Sequence, residues 1–230
     1  MRTPNPEALV LFDLDGTLIE TAADMTDALR ATLARWIGQP FLTQAEVERT
    51  IGHGTRDLLA KTLVAGGVVR AEDVHGSPEL VEAEALYAAH YLAHSGRASR
   101  LYPRVGETLA ALAARGVACV LLTNKEERYT WPLLQAHGLH TAFDRVVCGD
   151  TLPVKKPDPA AILECLQSFS VPPGRALMVG DSAVDVETAR RAGIPVWAVP
   201  YGYNQGRPVA DSAPDRLIDD VSALLSDWLV

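Results

Sequence analysis

The sequence has few cysteines and no long apolar run. Its three cysteines, Cys119, Cys148 and Cys165, are odd in number and far apart. We therefore predict buried thiols, and neither a disulfide framework nor a cysteine metal site. No apolar stretch approaches the roughly 20 residues that a transmembrane helix requires. The first residues also lack the basic and apolar segments of a signal peptide, which predicts a cytoplasmic protein without membrane contact.

Basic residues are fewer than acidic ones. The chain has 21 Lys and Arg against 29 Asp and Glu, a formal net charge of −8 at pH 7 and a pI near 5.2. Nucleic-acid-binding proteins normally carry a clustered basic face, so no nucleic-acid partner is expected. An anionic small molecule is not excluded, because a metal ion and a few cations can reverse the charge of one site.

Short apolar runs alternate with helical stretches along much of the 230-residue chain. The predicted strands are residues 8–12, 117–122, 145–148, 176–179 and 196–199. The predicted helices between them include residues 105–115, 159–168 and 184–192. Nearly continuous apolar strands that alternate with helices are typical of a parallel sheet covered on both faces. We therefore predict an α/β fold with a Rossmann-like, doubly wound parallel sheet.

The segment between the first two strands departs from this alternation and contains only helical signals. Thr43 and Glu46 have the spacing of a capping box, and Ser77 and Pro78 are an N-cap residue followed by proline. We interpret this segment as an all-helical domain inserted into the α/β core. The predicted bounds are residues 1–19 and 97–230 for the core and residues 20–96 for the insert.

Polar residues follow the ends of several predicted strands. Residues 13–17 follow the first strand, residues 123–124 the second and residues 181–185 a later one, while Lys156 follows another strand and its loop. Ligands of open parallel sheets bind outside the carboxyl ends of the strands. We therefore expect these four groups to converge on one crevice.

The crevice would contain four carboxylates, and their mutual repulsion predicts a bound cation. They belong to Asp13, Asp15, Asp181 and Asp185. A hard divalent ion binds carboxylate and carbonyl oxygens, and Mg²⁺ commonly uses one or two carboxylates together with substrate phosphate and water. Zinc is not expected, because His90 and His94 are spaced i, i+4 but have no third ligand.

Two aspartates separated by one residue can flank a single reacting centre. Asp13 can attack phosphorus to form an aspartyl-phosphate, and Asp15 can protonate the leaving oxygen and later deprotonate the attacking water. Donors to the phosphate are expected from Thr17, Thr123, Asn124 and Lys156. Each of these residues alone could be a turn, a helix cap or a solvated loop residue. Their occurrence together, in order, favours the catalytic interpretation.

The four polar motifs resemble those of the haloacid dehalogenase-like hydrolase superfamily. Residues 12–18 match its first motif, residues 122–124 its second, Lys156 with Pro157 its third and residues 180–185 its fourth. The resemblance covers essentially the whole chain. It implies that the helical insert is a mobile cap domain.

The resemblance also implies a role for each motif residue. Asp13 is the nucleophile and Asp15 the general acid and base. The implied catalytic contacts to the phosphate come from Thr123 and Lys156. The implied Mg²⁺ ligands are Asp13, the Asp15 main-chain carbonyl and Asp181, with Asp185 at the same metal site, where it orients a metal-bound water.

Three further stretches are similar to bacterial phosphoglycolate phosphatases within that superfamily. They are residues 51–59, residues 149–153 followed by residues 156–159, and residues 201–204. The resemblance implies a small phosphate ester as the partner of the chain, with 2-phosphoglycolate as a principal substrate. The chain could act as a monomer or a homodimer.

The turn between two helices of the insert is expected to contact the leaving group. Its candidate residues are His53, Thr55 and Arg56, and Arg56 could pair with a substrate carboxylate. The same arginine would bind a phosphate if the chain were a sugar phosphomutase, and it could also be an ordinary surface residue. A phosphatase that acts on a sugar phosphate or on a biosynthetic intermediate also stays open. A non-enzymatic binding module is disfavoured, because no motif residue is missing.

Overall fold

A six-stranded parallel sheet forms the centre of the computed structural model of the protein, which describes residues 6–38 and 42–228. The strands of the chain are β1 (Ala8–Phe12), β2 (Ile19–Glu20), β3 (Arg100–Leu101), β4 (Val117–Leu122), β5 (Arg145–Val147), β6 (Ala176–Gly180), β7 (Val196–Ala198) and β8 (Arg216–Leu217). The sheet has the order β5–β4–β1–β6–β7–β8, and all neighbouring strands are parallel. The chain therefore reverses its direction of travel across the sheet beside β1, where open sheets form their binding crevice.

Helices cover both faces of the sheet and form the insert. They are α1 (Ala22–Leu33), α2 (Gln44–Glu48), α3 (Thr55–Ala65), α4 (Pro78–His94), α5 (Val105–Ala114), α6 (Glu127–Ala136), α7 (Ala160–Phe169), α8 (Ala183–Ala192) and α9 (Leu224–Asp227). The predicted α/β fold is confirmed. Each of the five predicted strands and three predicted core helices ends within one residue of its expected position.

The side chains of β1 alternate between two apolar layers. Val10 and Phe12 pack with α5, α6 and α9, whereas Leu9 and Leu11 pack with α7 and α8. All four side chains are fully buried. Successive side chains of a strand point to opposite faces, so a strand that is apolar throughout must be covered on both sides. This burial fixes the position of the residues that follow Phe12.

Helices α1–α4, called the cap below, pack around their own apolar cluster. The capping box before α2 is present, since the Thr43 N–H donates to Glu46 Oε2 over 2.7 Å. The Ser77 hydroxyl accepts from the Leu80 N–H, with Pro78 in the first turn of α4. Both helix starts thus follow the sequence prediction.

The chain passes between core and cap at β2 and β3, which pair antiparallel. These two-residue strands lie beside the predicted domain bounds of residues 1–19, 20–96 and 97–230, which remain a prediction. On the cap side of the crossings, the buried Asp24 carboxylate accepts from the Gly96 and Ala98 N–H groups over 2.7 and 2.8 Å. Both connections are therefore held by hydrogen bonds.

Aromatic side chains join the cap to the core. Tyr129 on α6 packs edge-on against Tyr87 and Tyr91 of α4, with ring centroids 5.8 and 5.2 Å apart. Such edge-to-face pairs contribute about 0.5–1.5 kcal/mol beyond their buried area.

Among the helices of the described residues, none has the length and apolar character needed to span a membrane.

Candidate active site

The predicted motif residues meet at the carboxyl edge of the sheet, in a cavity between core and cap. Asp13 follows β1, Thr123 follows β4 and Asp181 follows β6, and these three strands are neighbours. The core side of the cavity is lined by Asp13, Asp15, Thr123, Asn124, Lys125, Asp181, Ser182 and Tyr203. The cap side is lined by Met25, Ile51, Gly52, Gly54, Thr55 and Leu58.

Lys156 is an almost completely buried cation between two carboxylates. Its Nζ lies 2.7 Å from Asp13 Oδ1 and 2.8 Å from Asp185 Oδ1, and its side chain is 2% exposed. These ion pairs raise the Lys156 pKa above its usual range against the opposing effect of burial. Lys156 therefore stays charged and fixes the orientation of Asp13.

Asp13, Asp181 and Asp185 form an acidic cluster whose candidate ligand oxygens all lie within 4.8 Å of one another. Burial raises the Asp13 pKa to about 7, with Lys156 opposing this shift and Asp185 adding to it. Burial, followed by the charges of Asp185 and Asp13, also raises the Asp181 pKa. Crowded carboxylates with raised pKa values are what a divalent cation would stabilise, so this oxygen donor set fits Mg²⁺.

The Asp181 carboxylate is held by the loops around it. Thr17 Oγ1 donates to Asp181 Oδ1 over 2.7 Å, and the Tyr203 N–H donates to Oδ2. A Cβ atom at Gly16, which has φ +88°, or at Gly202 would overlap the Asp181 carboxylate. Thr17, expected to contact the phosphate, is fully buried and directs its hydroxyl to Asp181 instead.

Both carboxylate oxygens of Asp185 already accept hydrogen bonds. Oδ1 pairs with Lys156, and Oδ2 accepts from the Ser182 hydroxyl over 2.6 Å and from the Ser182 and Asp181 N–H groups. Asp185 lies in the first turn of α8, where an acidic side chain interacts favourably with the helix dipole. This geometry suits a residue that positions Lys156 and the Asp181 loop better than an open metal ligand.

Asp15 forms an ion pair with Lys125, a residue to which the sequence motifs assign no role. Lys125 Nζ lies 3.0 and 3.1 Å from the two Asp15 oxygens. It also lies 4.8 Å from the centroid of the Tyr91 ring, a cation–π distance. The side chain is 3% exposed. Its position directly after the second motif was the only sequence signal that it belongs to the site.

Thr123 and Asn124 hold the loop that carries Lys125. Thr123 Oγ1 accepts from the Lys125 N–H over 3.2 Å. Asn124 Nδ2 donates to the main-chain carbonyls of Gly52 and Lys156, each over 3.0 Å. Its Oδ1 is buried and has no partner within the described residues. Asn124 thus links the cap turn to the third motif, whereas we had expected it to donate to the phosphate.

The cap turn of residues 51–56 contacts three loops of the core. Thr55 lines the cavity and donates a 2.5 Å hydrogen bond to Glu126 Oε2. The His53 carbonyl accepts from Lys155 Nζ, and the His53 ring lies 3.4 Å from the Gln205 amide nitrogen. His53 does not line the cavity. The cap is therefore closed over the core in this structure.

Arg56 is directed away from the cavity. Its Nη1 lies 2.6 Å from Glu84 Oε2, and its Nη2 donates to the His75 carbonyl over 3.1 Å. The side chain is 47% exposed. This arrangement matches the surface-arginine interpretation, and gives no contact through which Arg56 could bind a substrate in the cavity.

Comparisons with known proteins agree with the fold. A model of the haloacid dehalogenase-like hydrolase family matches residues 8–193. A phosphoglycolate phosphatase of Thiobacillus denitrificans is 38% identical over 220 residues, covering 95% of this chain and 94% of the relative. Phosphoglycolate phosphatase 1 of Pseudomonas aeruginosa is 42% identical over 217 residues, covering 94% and 78%.

A solved structure is similar over nearly the whole chain. It is described as a predicted phosphoglycolate phosphatase from Haemophilus somnus, with 32% sequence identity and a TM-score of 0.87. The similarity covers 98% of both chains, so it includes the cap as well as the sheet.

Proposed function

Because the chain belongs to the haloacid dehalogenase-like hydrolase family and is a phosphoric monoester hydrolase, we propose that it hydrolyses 2-phosphoglycolate with Mg²⁺ through an aspartyl-phosphate on Asp13. The observation that chiefly supports this chemistry is the pair of buried aspartate–lysine contacts on the core side of one cavity. Asp13 is paired with Lys156 and Asp15 with Lys125. The names of the similar proteins support the substrate.

In the first half-reaction an oxygen of Asp13 bonds to phosphorus while the bond from phosphorus to the glycolate oxygen breaks. Asp15 donates a proton to that leaving oxygen. Lys156 holds one Asp13 oxygen at 2.7 Å, which leaves the other oxygen to face the phosphorus. Lys125 fixes Asp15 in the same cavity.

In the second half-reaction Asp15 takes a proton from water, and the water oxygen bonds to phosphorus as the bond to Asp13 breaks. The products are inorganic phosphate and a free Asp13 carboxylate. Closure of the cap through the turn of residues 51–56 keeps bulk water from the first step.

The proposed Mg²⁺ ligands are the Asp13 and Asp181 carboxylates and the Asp15 main-chain carbonyl, with Asp185 positioning Lys156 and the Asp181 loop. When bound, the ion supplies positive charge that offsets the carboxylates and the substrate phosphate. Thr17 and Tyr203 keep Asp181 in place through the hydrogen bonds described above.

The test is a phosphate-release assay over a panel of esters, with and without Mg²⁺. The panel contains 2-phosphoglycolate, glucose 6-phosphate, β-glucose 1-phosphate and p-nitrophenyl phosphate. We expect the highest kcat/KM for 2-phosphoglycolate. After chelation of the metal we expect no phosphate release from any ester. Conversion of one sugar phosphate into another without phosphate release would instead indicate a phosphomutase, and preference for a sugar phosphate would refute the proposed substrate.

A further inference from the structure

The leaving group of 2-phosphoglycolate carries a carboxylate, and burying this charge requires a positively charged partner. Among the described residues that line the cavity, Lys125 is the only cation. Arg56 is paired with Glu84 outside the cavity, and Lys156 already contacts Asp13 and Asp185.

One N–H donor of the Lys125 ammonium is not used by Asp15. An ammonium group has three N–H donors, and the two oxygens of Asp15 accept from it. Within the described part of the chain no third acceptor contacts Nζ, and the Tyr91 ring covers one side at 4.8 Å. Because water has little access to a side chain that is 3% exposed, a substrate anion would not compete with bulk solvent for this donor.

The backbone around Lys125 is fixed, so the ammonium is preorganised. Its N–H donates to Thr123 Oγ1 over 3.2 Å, and its carbonyl accepts from the Gly149 N–H over 2.8 Å. A cation held in place loses little freedom when it binds an anion, which favours selectivity.

The opposite wall of the cavity is mainly apolar. Met25, Ile51 and Leu58 of the cap face it, and the Thr55 hydroxyl is already bonded to Glu126. A sugar would leave most of its hydroxyl groups unpaired against these side chains. A short leaving group with a single charged end has no such hydroxyl groups to leave unpaired.

We propose that Lys125 binds the substrate carboxylate while it keeps its contact with Asp15, and thereby selects short phosphate esters whose alcohol carbon bears a carboxylate. This inference rests on the proposed function and assigns its specificity. Lys125 then contacts both Asp15, the general acid, and the leaving group that receives the proton of Asp15.

The test is a double-mutant cycle between enzyme and substrate. The enzyme change is Lys125→Met, which keeps an unbranched side chain out to the ε carbon and removes the charged amine. The substrate change replaces 2-phosphoglycolate by its near-isostere 2-phosphoglycolamide, in which a neutral amide takes the place of the carboxylate. We expect the ratio of kcat/KM values, glycolate over glycolamide, to fall at least about 30-fold in Lys125→Met, since loss of a buried charged contact costs about 2–5 kcal/mol. Lys125→Arg should restore part of the ratio.

Control variants separate this role from a structural one. Lys61→Met makes the same change at a half-exposed cap lysine paired with Asp57, and should leave the ratio unchanged. Equal losses on both substrates in Lys125→Met would mean that Lys125 only positions Asp15, and would overturn the inference. So would a fall of the ratio in Arg56→Met but not in Lys125→Met.

The two proposals can fail separately. If the wild-type enzyme hydrolyses both esters equally, the carboxylate contact is refuted, whereas the proposed substrate is refuted only if the ester panel shows a preference for a sugar phosphate. If it prefers the glycolate and Lys125→Met retains that preference, only the Lys125 inference is refuted. Should circular dichroism show that Lys125→Met does not fold, Lys125→Gln replaces it in the same cycle and carries the same expectations.

Discussion

Thr55 on the cap and Glu126 on the core are joined by a 2.5 Å hydrogen bond from the Thr55 hydroxyl to the Glu126 carboxylate. Thr55 begins α3, and Glu126 lies immediately before α6. Because the bond joins the cap turn to the loop that carries Lys125, it favours the closed arrangement of the site. Together with the Asn124 contact to Gly52, it makes the position of the cap depend on the second motif.

We expect Thr55→Val to lower kcat/KM for 2-phosphoglycolate about tenfold. Valine keeps the side-chain shape but cannot donate, and a hydrogen bond to a charged acceptor contributes about 1.5–3 kcal/mol when buried and less when half-exposed. The control is Thr50→Val, because the Thr50 hydroxyl donates to the Glu46 carbonyl of α2, a contact that stays within the cap. Similar losses in both variants would contradict a role of the Thr55 bond in closure.

Asp13→Asn should abolish turnover, with kcat at least about 10³-fold lower, because an amide is a poor nucleophile. The fold should persist, since the amide has nearly the same shape. Steady-state phosphate release and circular dichroism test both points. Turnover within tenfold of wild type would exclude Asp13 as the nucleophile.

The raised pKa values of Asp13 and Asp181 predict how metal-free stability depends on pH. Both groups bind protons more tightly in the folded chain than in the unfolded chain, so the folded state carries more protons between about pH 4 and the Asp13 pKa of about 7. Stability from these groups is therefore greatest at low pH and declines as pH rises through about 7. Thermal unfolding in EDTA should show a lower Tm at pH 7.5 than at pH 5.5.

Mg²⁺ should reverse this trend, because it binds the deprotonated carboxylates. We expect the Tm increase on adding Mg²⁺ to grow from pH 5.5 to pH 7.5, with proton release on binding. Asp181→Asn removes one of the crowded charges and should flatten both pH dependences. A metal-free Tm that rises over this interval in wild type, with no change in Asp181→Asn, would contradict the electrostatic account.

The strands and motif residues could be predicted because their signals are local. Residues 8–12 are apolar throughout, which predicts a strand buried on both faces, and the polar residues that follow must then lie at the carboxyl edge. The convergence of Asp13, Asp15 and Asp181 on one cavity follows from the parallel order of the sheet. The strand order alone thus predicts where these residues lie, without any knowledge of side-chain contacts.

The direction of a long side chain could not be predicted in this way. Arg56 and Lys125 are both cations near the cavity, but Glu84 lies beside Arg56 and Asp15 beside Lys125. These partners are 28 and 110 residues away along the chain, so no local pattern shows which lysine or arginine faces inward.

Helix α6 is not among the helices named from the sequence. It contains Pro132, a residue that normally interrupts a helix, and this weakens the local helical signal.

Tyr203 connects the metal-site loop to the start of the cap through two different groups, and Tyr203→Phe should separate them. Its hydroxyl accepts from the Thr21 and Ala22 N–H groups over 3.0 Å each, whereas its backbone N–H donates to Asp181. These N–H groups lie at the start of α1, where no helical carbonyl can accept from them. Losing the shared acceptor should therefore lower the free energy of unfolding by about 1–3 kcal/mol.

The affinity for Mg²⁺ should change less than about threefold in Tyr203→Phe, because the contact to Asp181 is made by the backbone and survives the substitution. Urea unfolding and calorimetric Mg²⁺ titration measure the two quantities independently. Tyr129→Phe is the matched control, since the buried Tyr129 hydroxyl has no hydrogen-bond partner in the part of the chain that the structure describes and its removal should cost little. A Tyr203→Phe protein with unchanged stability and weakened Mg²⁺ binding would show that the hydroxyl acts on the metal site instead of holding the cap.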